Sequence, residues 1–285
     1  VGTTVFFFSL SMFFDIIHTW SDTMKYMVLA SGSGGNCTYI EIEEQRFIID
    51  CGISLRQIQS RLSMRNLVLE RLDGIFITHE HADHVGGLIP ILNKFKCKVY
   101  MTEGTYQGLH YKIKDNISQP LLQFVLFDDA IINNGVLVKA IMSYHDALEP
   151  CGYRFTHQGK SLVYLTDSGY YPKSKYESIA NADHYIIESN HDPELLLESN
   201  RTWLLKRRIL DDQGHLSNED SAFLMANVLG EKTKTITLAH LSEECNTESH
   251  ALQAFKDVFS NQGLIYDDFK IVCAKQNEPL ELEEL

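Results

Sequence analysis

The chain has 285 residues, of which 44% are hydrophobic and 22% are charged, and its formal net charge is −13. This composition is typical of a globular protein with a sizeable core, and the length allows one large α/β domain or two smaller ones. The acidic excess argues against a generally basic surface that coats nucleic acid, although it leaves room for a local basic groove.

The first 23 residues differ in character from the rest of the chain. Two apolar runs, at residues 5–8 and 12–14, resemble the hydrophobic region of a signal peptide. However, no Lys or Arg precedes them, Asp15 interrupts them, and no small-x-small cleavage site follows. We interpret residues 1–23 as a non-native upstream extension from a misplaced start, with a membrane-associating segment as the alternative. Residues 24–285 are then expected to form a single domain without a stable membrane partner.

The first half of this domain is rich in short β-type runs. Strands are predicted at residues 26–30, 37–42, 47–50, 74–78 and 98–101. The spacing of apolar residues predicts helices at residues 54–64 and 86–95. A glycine-rich turn at residues 31–36 separates the first two strands.

The second half repeats this organisation. Strands are predicted at residues 136–143, 152–156, 161–166, 184–188, 235–239 and 269–272, and helices at 201–210, 218–229 and 247–259. Asn218 is the predicted N-cap of the second of these helices. Two similar halves, each with hairpins followed by mixed strands and helices, predict two sheets packed face to face with helices outside.

The cysteines indicate the cellular compartment. None forms a Cys-x-x-Cys pair, and they are spread over the whole chain: Cys37, Cys51, Cys97, Cys151, Cys245 and Cys273. We interpret them as buried, reduced thiols of a cytoplasmic protein and not as a disulfide framework.

The segment of residues 78–84 has the highest density of potential metal ligands and reads Thr-His-Glu-His-Ala-Asp-His. Its histidines directly follow the strand predicted at residues 74–78. Imidazole and carboxylate are ligands that suit Zn²⁺, Mn²⁺ or Fe. Alternate residues of an extended segment point the same way, so His79 and His81 can converge on one ion. Asp83 and His84, beyond the bend of this loop, are then available to a second ion.

Three further candidate ligands end apolar strands, namely His145, Asp167 and His240. A carboxylate at Asp167 can bridge two cations, and the two imidazoles complete the coordination shells. Seven ligands at four strand ends predict a dinuclear centre and metal-assisted hydrolysis. Isolated histidines are interpreted as ordinary polar or core residues: His18, His110, His157 and His250.

The order of the candidate ligands along the chain resembles the order of the metal ligands in the metallo-β-lactamase-fold hydrolases: His-x-His-x-Asp-His, then His, Asp and His. Four more motifs, at residues 29–36, 187–192, 214–220 and 238–242, resemble the WalJ/VicX (YycJ) group of that fold. The resemblance implies an α/β, four-layer αβ/βα sandwich of two mixed β-sheets with outer helices. It also implies a metal-dependent nuclease directed at DNA, with 5′→3′ exonuclease activity.

The resemblance further implies a role for each ligand. His79, His81 and His145 would hold the first of two divalent ions, either Zn or Mn, with Fe as a further option. Asp83, His84 and His240 would hold the second, and Asp167 would bridge the two. Such a pair of ions lowers the pKa of a bridging water and so supplies hydroxide near neutral pH, which Asp83 would orient.

Residues outside the ligand set are candidates for contacts with the substrate. His215 resembles the His of the His-Ser/Thr motif in the tRNA-maturing nucleases of this superfamily, where it would contact the scissile phosphate or protonate the leaving oxygen. The alternative for His215 is a surface histidine before a helix, and His191 is a second candidate to line the site. A basic run is expected to bind the phosphodiester backbone, or else to form one solvated helix face: Arg201, Lys206, Arg207 and Arg208.

Other functions on the same scaffold give the alternatives. A small-molecule hydrolase, either a thioesterase of the glyoxalase II type or a lactonase, is the main one, but His215 and the basic run favour a nuclease. An oxidoreductase of the diiron flavoprotein branch is disfavoured, because that branch generally has Glu where this chain has His81. A non-catalytic regulatory or scaffolding role is disfavoured because it would leave the complete set of candidate metal ligands unexplained. A role in tRNA 3′ processing is disfavoured because no Gly/Pro-rich protruding arm is evident in the sequence.

Overall fold

The computed structural model describes residues 23–127, 129–133 and 135–285. The extension predicted at residues 1–23 therefore lies outside the described residues apart from Thr23, and so does His18.

Fourteen strands in the described residues divide equally between two sheets. In chain order they are β1 (Met24–Ala30), β2 (Cys37–Ile42), β3 (Gln45–Ile49), β4 (Gly74–Phe76), β5 (Lys98–Met101), β6 (Leu122–Phe124), β7 (Ala130–Asn133), β8 (Val136–Met142), β9 (Cys151–His157), β10 (Lys160–Leu165), β11 (His184–Glu188), β12 (Thr235–Ala239), β13 (Lys270–Cys273) and β14 (Glu283–Glu284). The first sheet has the order β14-β1-β2-β3-β4-β5-β6 and the second β13-β12-β11-β10-β9-β8-β7.

The two sheets share one internal pattern. In the first, antiparallel pairing of β1, β2 and β3 gives way to parallel pairing of β3, β4, β5 and β6. In the second, antiparallel pairing from β7 to β10 gives way to parallel pairing from β10 to β13. Both sheets are therefore mixed, as the family resemblance implied.

Ten α-helices connect the strands in the described residues. They are α1 (Leu55–Ser63), α2 (Ala82–Val85), α3 (Leu88–Phe95), α4 (Glu103–Gly108), α5 (Tyr111–Lys114), α6 (Tyr176–Ile179), α7 (Pro193–Glu198), α8 (Trp203–Leu210), α9 (Asn218–Val228) and α10 (Glu248–Asn261). The N-cap prediction for α9 is wrong by one residue. The Ser217 hydroxyl accepts the Asp220 N–H at 3.1 Å, whereas Asn218 is buried as the first helical residue.

Three apolar clusters define four layers. The cluster between the sheets packs Phe76 of the first sheet edge-on against Phe155 of the second, with ring centroids 5.0 Å apart. Another packs α1 and α3 on the outer face of the first sheet through Ile58 and Leu88. The third packs α9 and α10 on the second sheet and includes the fully buried Phe255. This arrangement confirms the αβ/βα sandwich.

The topology brings the carboxyl ends of β4, β8, β10, β11 and β12 to one edge of the sandwich, since these strands run parallel within each sheet. Ligand-binding residues of mixed α/β folds commonly lie at such an edge. All six cysteines fall in the described part of the chain, and each is a buried free thiol. Across the described residues, no helix is long and apolar enough to cross a membrane.

Candidate metal centre

The histidine-rich segment begins directly beyond β4. His79 is buried, and its Nε2 lies 3.1 Å from Nδ1 of His81. His81 occupies the N-cap position of α2, and Asp83 and His84 lie within this helix. The prediction that the last two residues belong to a loop is therefore corrected, because a single helical turn begins at Ala82. That turn directs both side chains back towards the sheet edge.

A buried carboxylate that the sequence analysis did not single out orients this segment. Asp50 follows β3 and accepts the Thr78 backbone N–H at 2.9 Å. Its other oxygen lies 2.8 Å from Nδ1 of His84, which therefore donates its proton there. His84 Nε2 therefore faces the other candidate ligands, 3.5 Å from Asp83 Oδ2 and 3.3 Å from Asp167 Oδ2. Such partners commonly set the tautomer of metal-binding histidines.

The second sheet contributes the remaining candidates. His145 follows β8, and its Nδ1 lies 3.0 Å from the Gly214 carbonyl oxygen. Asp167 and His240 follow β10 and β12 in the left-handed region, with φ of 54° and 56°, and Asp50 has a φ of 58°. Non-glycine residues rarely adopt such values, and strained backbone of this kind concentrates at functional sites.

The seven predicted ligands come together from both sheets. His79, His81 and His145 have ligand atoms within 4.8 Å of one another, and so do Asp83, His84 and His240. Asp167 joins the two sets, because its carboxylate lies 3.3 Å from Nε2 of His84 in one set and 3.9 Å from Nε2 of His145 in the other.

The donor atoms suit divalent metal ions. Bonds of about 2.0–2.1 Å around a tetrahedral ion place two ligand atoms about 3.3 Å apart. The separations across this centre are comparable: 3.1 Å for His79–His81, 3.3 Å for His84–Asp167 and 3.8 Å for His240 Nε2–Asp83. Two buried atoms that face the centre, Asp167 Oδ2 and His240 Nε2, have no hydrogen-bond partner among the described residues. Unpaired buried polar atoms are costly, so a cation is the fitting partner for them.

Glu188 is the main site residue to which the sequence analysis gave no role of its own, since it appeared there only within the motif of residues 187–192. It ends β11, is fully buried, and contacts Nδ1 of His215 at 2.8 Å and Nδ1 of His240 at 3.0 Å through Oε1. Its Oε2 accepts the backbone N–H groups of Ser168 and Leu216. Burial raises the pKa of the Glu188 carboxyl, but the two imidazoles outweigh it and hold this pKa below its usual value. A carboxylate at the end of an apolar strand was the available signal.

His215 lies beside the ligands. Its ring centroid is 5.0 Å from that of His145 and 5.2 Å from that of His240, and its side chain is 16% exposed. His191 is buried and belongs to none of the ligand groups found among the described residues. Burial lowers the pKa of His191 to about 4. Of the two, His215 is therefore the one placed to meet a substrate.

The basic run divides into different environments. Lys206 is buried, and its ammonium donates to the carbonyl oxygens of Leu197 and Ser199, so it anchors the corner between α7 and α8. That role leaves it unavailable to a phosphate. Arg207 is exposed on α8, whereas Arg201 and Arg208 line a pocket that also contains His215.

Comparison with known proteins agrees with this geometry. Residues 45–240 match the family described as Beta-lactamase superfamily domain. Exodeoxyribonuclease WalJ of Streptococcus pneumoniae serotype 2 is 36% identical over 263 residues, which cover 92% of this chain and 98% of the relative. Exodeoxyribonuclease YycJ of Bacillus anthracis is 34% identical over 240 residues, which cover 84% and 90% of the two chains.

Solved structures show the same fold. The metallo-beta-lactamase fold protein YhfI from Bacillus subtilis superposes with a TM-score of 0.67 at 17% identity and covers 93% of this chain and 100% of its own. This chain therefore belongs to the β-lactamase superfamily, and within it to the family that contains WalJ and YycJ.

Proposed function

We propose that this protein is a metal-dependent exodeoxyribonuclease that degrades DNA in the 5′→3′ direction in the cytoplasm. The observation that carries the proposal is the convergence of seven candidate ligand side chains from two sheets beside His215, whose Nδ1 lies 2.8 Å from Glu188 Oε1. Similarity to exodeoxyribonucleases over nearly the whole chain supports DNA as the substrate. Six buried free thiols favour a reducing compartment.

The proposed centre holds two divalent ions, Zn or Mn, with Fe as a further option. His79, His81 and His145 would bind one ion, Asp83, His84 and His240 the other, and Asp167 would bridge them. When bound, such ions lower the pKa of water and stabilise negative charge on phosphoryl oxygens. Asp50 and Glu188 keep the imidazole protons on the far side of the rings, away from this centre.

Two side chains would contact the reacting groups. The Asp83 carboxylate is 26% exposed and can accept a hydrogen bond from the attacking water. Burial raises the pKa of Asp83, but the neighbouring imidazoles of His240 and His84 outweigh it, so this pKa is held below its usual value. His215 donates from Nδ1 to Glu188, so its Nε2 would face the substrate. When the ring carries a proton on both nitrogens, Nε2 can donate to the scissile phosphate or give its proton to the leaving oxygen.

Digestion of end-labelled duplex DNA, single-stranded DNA and RNA with added Mn²⁺ or Zn²⁺ tests this function. The wild-type protein is expected to release mononucleotides from DNA. Asp83→Ala should abolish cleavage, and His215→Ala should slow it by about 10² to 10⁴, the usual contribution of a general acid.

Three results would contradict the proposal. One is the absence of cleavage of any substrate, and another is full activity in the Asp83→Ala variant. The third is faster turnover of a thioester or lactone in the same panel, which would establish the small-molecule hydrolase instead.

A further inference from the structure

A polar pocket of about 330 Å³ opens beside the metal centre, between α8 and the turns of residues 31–36 and 241–246. We call it the arginine pocket, and its polar lining includes Ser33, Arg201, Arg208, His215 and Ser242. Because His215 belongs both to this lining and to the proposed catalytic groups, a ligand in the pocket would lie next to the reacting phosphate.

Both arginines are held by carboxylates and keep donors to spare. Arg201 Nε lies 2.9 Å from Glu244 Oε2, and its Nη2 donates to Ser242 Oγ at 3.2 Å. Arg208 forms a two-point pair with Asp146, at 2.5 Å through Nε and 3.0 Å through Nη2. Among the described residues, neither Nη1 group has a hydrogen-bond partner. A guanidinium has five N–H donors, so each arginine can still bind a ligand.

The hydroxyl groups of the pocket are also donors. Ser242 Oγ accepts hydrogen bonds from Arg201 Nη2 and from the Cys245 N–H at 3.1 Å, which leaves its own proton for a ligand. Ser33 is exposed at the rim. Glu244 also lines the pocket, but its charge is balanced by Arg201. The free hydrogen-bonding capacity is therefore mostly of the donor type, which selects an anion.

The number of arginines indicates which anion. A phosphomonoester carries a charge of about −1.5 to −2 near pH 7 and has three acceptor oxygens, whereas each phosphodiester of a strand carries a single negative charge. Because Glu244 and Asp146 already balance the two guanidinium charges, the match depends on the free donors. The two Nη1 groups and the Ser242 hydroxyl can meet the three terminal oxygens of a monoester. Bidentate geometry at arginine also suits a terminal phosphate with several free oxygens.

We propose that the arginine pocket binds the terminal phosphomonoester of a DNA strand, so that the enzyme selects phosphorylated ends. This inference rests on the proposed nuclease function and adds the chemical nature of the end that the site accepts. A 5′-phosphate is the source consistent with 5′→3′ digestion, and a 3′-phosphate is the other source of the same chemistry.

The test compares kcat/KM on four otherwise identical duplexes that end in 5′-phosphate, 5′-hydroxyl, 3′-phosphate or 3′-hydroxyl. The wild-type protein is expected to prefer one phosphorylated end by about tenfold or more, the effect of losing a hydrogen bond to a charged group. Arg201→Gln should remove most of this preference by slowing the phosphorylated substrate, and Arg201→Lys should restore part of it.

Arg71→Gln is the matched control. Like Arg201, Arg71 pairs with a carboxylate through Nε, which lies 3.5 Å from Asp73 Oδ2, although its side chain is 52% exposed against 21% for Arg201. It precedes β4 and therefore lies at the opposite edge of the sheet from the metal centre. This variant should keep the wild-type preference between ends.

The outcomes separate the two proposals. Equal rates on all four ends, or a preference that Arg201→Gln retains, would overturn the terminal-phosphate site and leave the nuclease function standing. A preference for the 3′-phosphate that Arg201→Gln removes would support the pocket and reverse the proposed direction of digestion. If no DNA is cleaved, the proposed function itself fails.

Discussion

Replacement of Glu188 by glutamine tests how the centre is organised. Oε1 of this carboxylate faces two imidazole Nδ1 atoms, of His215 and His240, and Oε2 faces two backbone N–H groups. A glutamine has one oxygen and therefore satisfies only one of these pairs. If its oxygen faces the backbone, its amide N–H groups face both imidazoles, whose Nδ1 atoms must then accept.

That arrangement has a consequence for the metal. A neutral imidazole carries one proton, so acceptance at Nδ1 moves the proton of His240 to Nε2, the atom that faces Asp83. His240 then loses its ability to bind an ion through that atom. The opposite orientation of the amide leaves two buried backbone N–H groups unpaired, at a cost of about 1–3 kcal/mol each.

The expected loss follows from these contacts. Removing one orienting partner of a metal ligand typically lowers metal affinity or activity by about 10- to 100-fold. Since Glu188 serves both a proposed ligand and a proposed catalytic histidine, we expect Glu188→Gln to lower kcat by at least about 100-fold and metal affinity by at least about tenfold.

The assay measures kcat on end-labelled duplex DNA at saturating Mn²⁺, metal content after dialysis, and the melting temperature. Glu41→Gln is the control, because its carboxylate accepts the Tyr39 hydroxyl at 2.6 Å at the far end of the first sheet. Unchanged kcat and metal content in a folded Glu188→Gln protein would refute the reasoning. An equal loss in Glu41→Gln would show that the effect is general destabilisation.

Three further predictions concern stability. Gly52→Ala should lower the free energy of unfolding, measured in urea, by about 3 kcal/mol, because a Cβ at this position would lie 1.7 Å from the Asp83 carbonyl oxygen. A variant as stable as the wild-type protein would contradict this prediction. Burial lowers the pKa of His184 from 6.5 to about 4, so the folded state binds fewer protons than the unfolded state between these pH values. The free energy of unfolding should therefore fall as the pH drops from 6.5 towards 4, and His184→Gln should make this dependence on pH less steep. Chelation of metal should lower the melting temperature and abolish nuclease activity, with both restored by Mn²⁺ or Zn²⁺, whereas a melting temperature indifferent to chelator would argue against a metal-loaded native state.

Long periodic segments made most of the fold predictable. Strands such as β2 and β12 and helices such as α9 bury one face or both, and this burial leaves a readable pattern of apolar residues. Short elements were missed, including α2 and β14, because two to four residues contain too few positions to show a period. The pairing of β14 with β1 depends on contact between the two ends of the domain.

The chemistry of the centre was also visible in sequence, since ligand residue types directly follow apolar runs at His79, Asp167 and His240. What lay beyond sequence reasoning was the set of supporting groups. Asp50 and Glu188 contact histidines 34 and 52 positions away, and no local pattern reports such contacts.

The amino-acid sequence by itself predicted the candidate ligands, the two facing sheets and the family resemblance, because each depends on residue type and local spacing. The tertiary structure alone decided which of the basic side chains are accessible to a ligand. Lys206 and Arg207 are neighbours on one helix, yet the first is buried against backbone carbonyls and the second is exposed. Arg201 and Arg208 face one pocket because segments more than 40 residues away in the chain supply the carboxylates that hold them. Burial and pairing are properties of the packed molecule, and they separate residues that the sequence presents as equivalent.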